Sequence, residues 1–584
     1  MNTETKVCQN CKKDFVIEPD DFAFYDKIKV PAPTFCPDCR AAQRMVWRNE
    51  RTFYKRICDA PGHNEELITI YAPETNVKVY DQTYWWSDNW DPLVFGRRYE
   101  FSTPFFKQFK ALLENVPLIN VFNVNSRNSD YCNHSAENKN CYLLTGGGWN
   151  ENVMYSNRTQ YNKDSLDVYT VDHCELCYEC MFCSKSYKLA FSQYCENCNN
   201  SFFLYNCRNC SDCFSCANLR NKTYCFFNEQ LTKEEYNNKI KDLNLGQFKE
   251  FKSAREKFYK EIYLSAIHKY ADIINCNNVS GDHIKNARNC KMCFDIGGDD
   301  TENCKYVNVS GFKAKDLFDT GPGAGWGSEL LYGAVDVNEG NRLVGCIVVY
   351  SSNEVNYSIN CHSCSYCFGC IGLRNKNYCI LNRQYSKEEY EILLPKIIEH
   401  MKTMPYIDVK GHTFVFGDFF PSEICPFAYN ETVAQEYFPV SKDQAIEFGA
   451  TWKEVSERNY TISADSENLP NDIKDVKDSI TKEIIGCAHK GLCEHPCTTA
   501  FKITEQELQF YRKFNITLPR ICPNCRHYER LVKRTPLKLW HRQCMCEKDH
   551  PQHEGRCPNE FETSYAPERP EIVYCEKCYQ QEVI

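Results

Sequence analysis

No stretch of this 584-residue sequence approaches the run of about 18 apolar residues that a membrane-spanning helix needs. The first ten residues, MNTETKVCQN, are polar and no apolar run follows them, so a secretory signal is not expected. Positive charge is not in excess, because the net charge is −9, which argues against a protein that coats nucleic acid over its whole surface. These features predict a cytoplasmic protein with no membrane partner.

Cysteine, by contrast, is abundant, with 39 residues in the chain. Disulfides rarely persist in the reducing cytoplasm, so we expect these side chains to be thiols or metal ligands. The length allows about three to five domains, and a hydrophobic content of 42% is sufficient for their cores.

The two ends of the chain are copies of one module. At a constant offset of 486 positions, an aromatic pair, a proline, two cysteines and two arginines recur; the first copy has Phe24, Tyr25, Pro33, Cys36, Cys39, Arg40 and Arg44, and the second has Phe510, Tyr511, Pro519, Cys522, Cys525, Arg526 and Arg530. Further along, Cys58 meets Cys544 at the same offset, and after an insertion Asp81 and Tyr84 stand where the second copy has Cys575 and Cys578.

Paired cysteines in these modules predict two or three structural zinc sites, because zinc prefers four thiolates in a tetrahedron and each CxxC turn supplies two. The expected ligands are Cys8, Cys11, Cys36 and Cys39 in the first module and Cys493, Cys497, Cys522 and Cys525 in the second, with Cys487, His489 and His495 as spare candidates. Four of Cys544, Cys546, Cys557, Cys575 and Cys578 would form a third site, near His550 and His553. The region that contains Cys58, Asp81 and Tyr84 is expected to have lost its metal.

The middle of the chain is also duplicated, at an offset of 154 between residues 207–240 and 361–394. Cys177, Cys195 and Cys213 stand 18 apart, while Asn289 and Asn303 stand 14 apart. A short period with the same small residue predicts a β-solenoid, with an 18-residue coil and cysteines in inward ladders. The alternative is an iron–sulfur or zinc cluster in the run Cys174 to Cys183.

Two capping boxes mark helices after the repeats, Thr232 with Glu235 and Ser386 with Glu389. These helices are expected to cap the two solenoid lobes. Two glycine-rich segments, TGGGWNEN from Thr145 and DTGPGAGWGSELLYG from Asp319, are interpreted as loop insertions, with a ligand site as the alternative.

The segment CQNCKKDFVIEPDDFAFYDKIKVPAPTFCPDCRAAQR resembles the zinc-binding domain of treble-clef type found in many uncharacterised bacterial proteins. The match covers about 40 residues at each end, and the whole layout resembles large uncharacterised proteins of the candidate phyla radiation bacteria. The resemblance implies fold rather than activity. The predicted fold is mixed and mainly β: two related parallel β-solenoid lobes with helical caps, flanked by N- and C-terminal zinc-ribbon or treble-clef modules.

The expected domain boundaries follow these features. They are a zinc module at 1–57, a degenerate second zinc-like module with an aromatic-rich connector at 58–125, β-solenoid lobes at 126–230 and 271–385, a helical insert at 231–270, a cap helix at 386–404, a mixed segment and linker at 405–485, and zinc modules at 486–540 and 541–584.

A basic segment follows the second cysteine pair of each end module. Arg40, Arg44 and Arg48 share one face of a helix, and Arg526, Arg530 and Arg534 repeat that face. Such rows can follow phosphates, so nucleic acid or ribonucleoprotein is the expected partner. Protein partners and pairing within the molecule are the alternatives.

We therefore expect a zinc-stabilised binding scaffold rather than an enzyme, with a protein–protein interaction scaffold as one alternative. The other alternative is a β-helix enzyme that acts on a polysaccharide or another polymer through paired acids. The candidate acids lie near one loop and are Asp295, Asp299, Asp300, Glu302, Asp316 and Asp319.

Overall fold

The structure is a computed structural model that describes residues 2–454 and 460–584. It is a mixed protein in which large parallel sheets form the middle and cysteine-rich modules lie at both ends. Within residues 2–454 and 460–584, none of the helices combines the length and the hydrophobicity that a membrane-spanning segment requires.

The first parallel body comprises residues 123–230. Its strands pair in parallel, except for the last two, which pair antiparallel. Lys163–Leu166 and Tyr169–Asp172 both pair with the longer strand Glu151–Gln160. They are Asn123–Val124, Asn133–Ala136, Tyr142–Gly148, Glu151–Gln160, Lys163–Leu166, Tyr169–Asp172, Tyr187–Ala190, Asn199–Tyr205, Phe214–Ala217, Cys225–Phe226 and Glu229–Gln230.

Strand pairing in this body has a constant offset of 12 residues. Met154 pairs with Tyr142, Leu189 with Ser201, and Phe202 with Phe214. The prediction of an 18-residue coil is therefore wrong. Cysteines can recur every 18 residues in a body whose strands pair every 12, because both numbers are multiples of three and the backbone conformation repeats every three residues.

Every third residue of this body has a positive φ, as at Asn206, Asn209 and Asp212. The intervening positions place one buried side chain per three residues, so cysteine, serine, valine and leucine alternate along the interior. The thiols bond to the backbone: Cys180 Sγ contacts the carbonyl of Tyr178 at 3.4 Å and that of Leu189 at 3.3 Å. The same contacts recur at Cys183 and Cys207. This pattern supports the ladder interpretation of the mid-chain cysteines.

The second parallel body comprises residues 273–384 and has the same design. Its strands are Ile273–Ile274, Asn277–Glu302, Asn308–Ser310, Lys315–Thr320, Glu329–Asn338, Asn341–Tyr350, Asn353–Asn356, Ile359–His362, Ser365–Phe368, Asn377–Ile380 and Arg383–Gln384. The offset varies before Glu329: Phe294 pairs with Asn308 at the expected 14, but Ile273 pairs with Ile284 at 11 and Glu302 with Lys315 at 13. From Glu329 onward the offset is again 12.

Helices follow both bodies as the capping boxes predict. Thr232 and Ser386 each accept a hydrogen bond from the backbone three residues later, and the glutamate there closes the box. The helices are Lys233–Asp242, Phe248–Lys257 and Phe258–Tyr263 after the first body, and Lys387–Thr403 after the second.

The first glycine-rich segment differs from its prediction as a loop insertion, whereas the second contains a connection between two strands. The first continues a strand, Tyr142–Gly148, which pairs with both of its neighbours. A side chain at Gly147 would overlap the backbone carbonyl of Thr159, so the close approach of adjacent strands requires glycine there. The second segment connects Lys315–Thr320 to Glu329–Asn338, two strands that pair with each other.

Three cysteine modules surround these bodies. The first (residues 4–47) has strands Glu4–Val7 and Asp14–Ile17 and helices Pro19–Ile28 and Pro37–Val46. The second (residues 485–532) has strands Ile485–Gly486 and Ala500–Phe501 and helices Glu505–Phe514 and Pro523–Leu531. The third (residues 540–584) has strands Trp540–Gln543, Glu560–Thr563 and Ile572–Tyr574 and helix Glu576–Val583.

The remaining segments pack around these units. Residues 54–119 contain strands Tyr54–Ile57, Glu66–Thr69, Val79–Tyr80 and Leu118–Ile119 and helices Gln82–Trp86, Pro92–Phe95 and Phe105–Leu113. Strand Ile267–Lys269 pairs with Ile572–Tyr574 of the third module. Between the second body and the second module lie strands Tyr406–Ile407, Thr413–Phe414 and Ala464–Asp465 and short helices Ser422–Ile424, Tyr429–Glu431, Val433–Tyr437, Lys442–Glu447, Ser466–Asn468, Ile473–Asp475 and Asp478–Lys482. The predicted linker within residues 405–485 packs against the rest of the protein, because Ile473, Val476 and Ile480 are buried.

Candidate metal centres and the arginine contacts

The first cysteine module brings its four predicted ligands together. The sulfurs of Cys8, Cys11, Cys36 and Cys39 all lie within 4.8 Å of one another. Cys11 Sγ lies 3.7 Å from Cys36 Sγ, and the latter residue is the N-cap of helix Pro37–Val46. The strand hairpin therefore supplies one pair of thiols and the start of the helix supplies the other, which is an arrangement able to hold a metal ion.

The second module uses a different first ligand from the one predicted. Cys487, Cys497, Cys522 and Cys525 form the buried four-sulfur group, while Cys493 lies beside it, 3.8 Å from Cys525 Sγ. With His489, Cys493 forms a smaller group of three donors around Cys525. The choice of Cys493 as a member of the tetrad is thus corrected to Cys487, because the loop between the first two ligands is longer here than in the first module.

The third module also holds a buried four-sulfur group, made by Cys544, Cys557, Cys575 and Cys578. Of the five candidate thiols, Cys546 is the one outside this group; its sulfur lies 3.2 Å from His550 Nε2. Cys575 is the N-cap of helix Glu576–Val583, in the same position as Cys36 in the first module.

One hydrogen bond recurs in all four copies of the module design. The backbone N–H of the helix N-cap donates to the first cysteine sulfur, at 3.2 Å in the pairs Cys36–Cys8, Cys522–Cys487 and Cys575–Cys544. In the degenerate copy, Asp81 N–H donates to Cys58 Sγ at 3.4 Å. There the Asp81 carboxylate accepts bonds from the N–H groups of Thr83 and Tyr84, so it caps the helix.

The six arginines predicted to contact nucleic acid are buried. Their exposed fractions are 9% or less: Arg40, Arg44, Arg48, Arg526, Arg530 and Arg534. Helices Pro37–Val46 and Pro523–Leu531 and the residues just after them pack these arginines against carboxylates and tyrosines of the protein. The prediction that these residues face phosphate is therefore wrong, and the alternative of pairing within the molecule describes their contacts.

Two aspartates receive these arginines in the same way. Asp319 of the second body contacts Arg40 Nε at 2.9 Å and Arg44 Nη1 at 3.1 Å. Asp167 of the first body contacts Arg526 Nε at 2.9 Å and Arg530 Nη1 at 2.8 Å. Both aspartates are almost fully buried and both have a positive φ. We call each set of three residues an arginine clamp.

The third arginine of each row differs between the copies. Arg48 pairs with Glu50 at 2.6 Å and with Asp336 at 3.2 Å. Burial alone would raise the pKa of Glu50, but Arg48 and Arg158 lower that pKa to about 2, so the carboxylate stays ionised. Arg534 instead stacks over Tyr437, with 4.1 Å between the guanidinium carbon and the ring centroid, and donates to the hydroxyl of Tyr169.

Three of the six acids proposed for polymer hydrolysis are engaged in ion pairs. Asp319 belongs to an arginine clamp, Asp316 contacts Lys27 at 2.6 Å, and Glu302 contacts Arg288 at 2.6 Å. The cavity that touches Asp319 has a volume of about 10 Å³, which is about the space of one water molecule. Asp295 and Asp300 make no ion pair with another described residue, and the side chain of Asp299 lies outside the described residues. This environment does not favour the hydrolase alternative.

A substitution at Gly323 tests the contact between Arg48, which follows the first module, and the second body. The φ of Gly323 is +78°, and an added methyl group would overlap the guanidinium of Arg48. We expect Gly323→Ala to lower the free energy of unfolding by about 1–3 kcal/mol, because it combines backbone strain with a displaced buried arginine. Urea unfolding measures this. Gly411→Ala is the matched control, because Gly411 has φ +83° with open space around it; equal effects of the two changes would contradict the Arg48 contact.

The described chain therefore offers three sets of four thiols suited to metal ions, and two arginine clamps that fasten the modules containing two of those sets to the parallel bodies. Comparison of the chain with protein-family models and with curated proteins finds no match.

Proposed function

We propose that this protein is a zinc-stabilised binding scaffold. In this proposal the two parallel bodies are β-solenoid lobes, and the cysteine modules are zinc modules of treble-clef type. The constant 12-residue pairing and the regular burial of every third side chain support the solenoid. The thiol pair on a hairpin and the thiol pair at a helix start support the module type.

Zinc is the ion that best fits the four-sulfur groups. Tetrahedral zinc with bonds of about 2.3 Å to sulfur places its ligands about 3.8 Å apart. The separations here are 3.7 Å for Cys11 and Cys36, 3.9 Å for Cys497 and Cys522, and 4.0 Å for Cys557 and Cys575. Four thiolates fill all positions of such an ion, so these sites are structural rather than catalytic.

The observation that carries the scaffold proposal is the duplicated arginine clamp. The metal fixes the start of each helix, and the arginines one to two turns later fix that helix to a body. Metal binding and the relative position of module and body are thereby coupled. A rigid multi-part surface results, which is what a binding scaffold requires.

We propose a protein rather than a nucleic acid as the partner. The arginines that would have bound phosphate are neutralised within the molecule, and the net charge of −9 disfavours a polyanion. We expect single-stranded RNA to show little or no binding in fluorescence anisotropy at low salt. Affinity in the micromolar range or tighter that falls steeply with salt would instead support the nucleic-acid alternative.

A further inference from the structure

The third cysteine module contains a second group of metal-binding atoms beside its four-sulfur group. Cys546 Sγ, His550 and His553 nitrogens and Cys578 Sγ lie within 4.8 Å of one another. Cys578 belongs to both groups, since it also closes the set of Cys544, Cys557 and Cys575. Cys546 and Cys578 are both fully buried, and the His550 side chain is 6% exposed.

A tight backbone turn holds the two histidines in place. The N–H of His550 donates to the carbonyl of His553 at 2.9 Å, and the N–H of His553 donates back at 3.1 Å. His553 Nδ1 lies 2.9 Å from the carbonyl of Gly555, so this nitrogen carries the proton and Nε2 faces Cys578 Sγ at 3.1 Å. A ring N–H bonded to a carbonyl, with the other nitrogen free, is the usual state of a metal-ligating histidine.

The loop that carries these donors is specific to this copy. Residues 544–559 connect strands Trp540–Gln543 and Glu560–Thr563, whereas residues 58–65 connect the corresponding strands of the degenerate copy. The longer loop contains Cys546, His550, His553 and Cys557. The longer loop therefore supplies one further ligand of the four-sulfur set, Cys557, and three ligands of the second group.

We propose that the third module holds two zinc ions bridged by the Cys578 thiolate. One ion is bound by four sulfurs, and the other by Cys546, His550, His553 and the shared sulfur. A thiolate sulfur has lone pairs for two metal bonds, and nitrogen and sulfur ligands of this kind suit zinc. Five thiolates and two neutral imidazoles around two divalent ions leave a formal charge of about −1, close to balance for a buried centre.

The sharing of the last cysteine recurs in the second module, where Cys525 belongs to the four-sulfur group and to the group with His489 and Cys493. That smaller group has three donors, so it offers one ligand fewer than a closed structural site. We therefore confine the proposal of a bridged pair to Cys578.

Metal analysis of the full-length protein tests the second ion. The change is His550→Ala combined with His553→Ala, and we expect the zinc content to fall by one ion per chain while Cys544, Cys557, Cys575 and Cys578 retain theirs. His541→Ala is the control, because His541 lies in the same module with its side chain 63% exposed. The control should keep the zinc content of the unmodified protein.

Cadmium substitution tests the bridge itself. Two cadmium ions joined by one sulfur split each other's NMR signals, so we expect a mutually coupled pair of resonances that the double histidine change removes. An unchanged zinc content in that variant, or resonances without mutual splitting, would overturn the bridged pair. The bridged pair rests on the proposed zinc binding of the modules. Cys557→Ser distinguishes the failure of one proposal from the failure of the other: if this change also leaves the zinc content unchanged, the four-sulfur site itself is refuted.

Discussion

Cys36→Ser is expected to remove one zinc ion per chain and to unfold the first cysteine module. Cys36 is both a member of the four-sulfur group and the N-cap of helix Pro37–Val46, which carries Arg40 and Arg44. Binding of a structural zinc ion contributes about 10–16 kcal/mol in small zinc modules, which exceeds the stability of most domains. Loss of the ion should therefore release the helix from Asp319. Metal analysis and limited proteolysis near residues 30–50 measure the two effects.

Cys180→Ser provides the matched control for this change. Cys180 is also a buried cysteine, but its sulfur contacts backbone carbonyls, and Ser192 occupies the next position of the same interior column. We expect the metal content to stay the same and the loss of stability to be about 1–2 kcal/mol. A fall in zinc content, or any iron in the unmodified protein, would show that the mid-chain cysteines bind metal.

Asp167→Asn is expected to lower the free energy of unfolding by about 3–5 kcal/mol. The change removes the negative charge that faces Arg526 and Arg530, and both buried guanidinium groups then lose their nearest carboxylate. Arg526 keeps the more distant Glu507 at 3.7 Å, and Arg530 keeps the carbonyl of Tyr155 at 3.2 Å. Asparagine tolerates the positive φ of Asp167, so the effect reports the lost charge rather than backbone strain. Urea unfolding of the zinc-loaded protein measures it.

Asp164→Asn is the control for the clamp, because Asp164 lies one three-residue step earlier and also has a positive φ. Its carboxylate accepts from Asn152 rather than from an arginine, so asparagine should change stability by less than about 0.5 kcal/mol. If Asp167→Asn and Asp164→Asn have the same small effect, the arginine clamp does not hold the second module to the first body.

The sequence predicts the helices and most of the cysteine ligands of the modules, but it predicts less of what the modules contact. The offset of 486 positions identifies equivalent helices, cysteine pairs and arginine rows, because each copy needs the same local arrangement of residues to hold one ion. The offset does not identify Cys487, because the intervening loop is longer. A usable signal existed: Cys487 follows strand Ile485–Gly486, just as Cys8 follows strand Glu4–Val7.

The arginine rows show why a local sequence pattern does not identify what a helix face contacts. Three arginines on one helical face predict a basic surface, but the pattern cannot tell whether that face meets solvent or another part of the chain. Asp319 and Asp167 lie hundreds of residues from the arginines they bind. Both lie in parallel bodies whose most visible sequence feature is the cysteine repeat. Similarly, spacing of 18 between cysteines conceals pairing at 12, because serine and leucine share the interior columns with cysteine.

The three-residue unit fixes which side chains of the first parallel body enter its interior. In the first body, where the parallel strands pair at an offset of 12, an insertion or deletion that is not a multiple of three would move the later core side chains out of the interior columns and would misplace the residues with positive φ. The second body differs, because its offsets before Glu329 include 11, 13 and 14. Length changes within the first body should therefore be tolerated mainly in multiples of three residues. A single-residue deletion near Ser186 should consequently be far more damaging than removal of a whole 12-residue repeat.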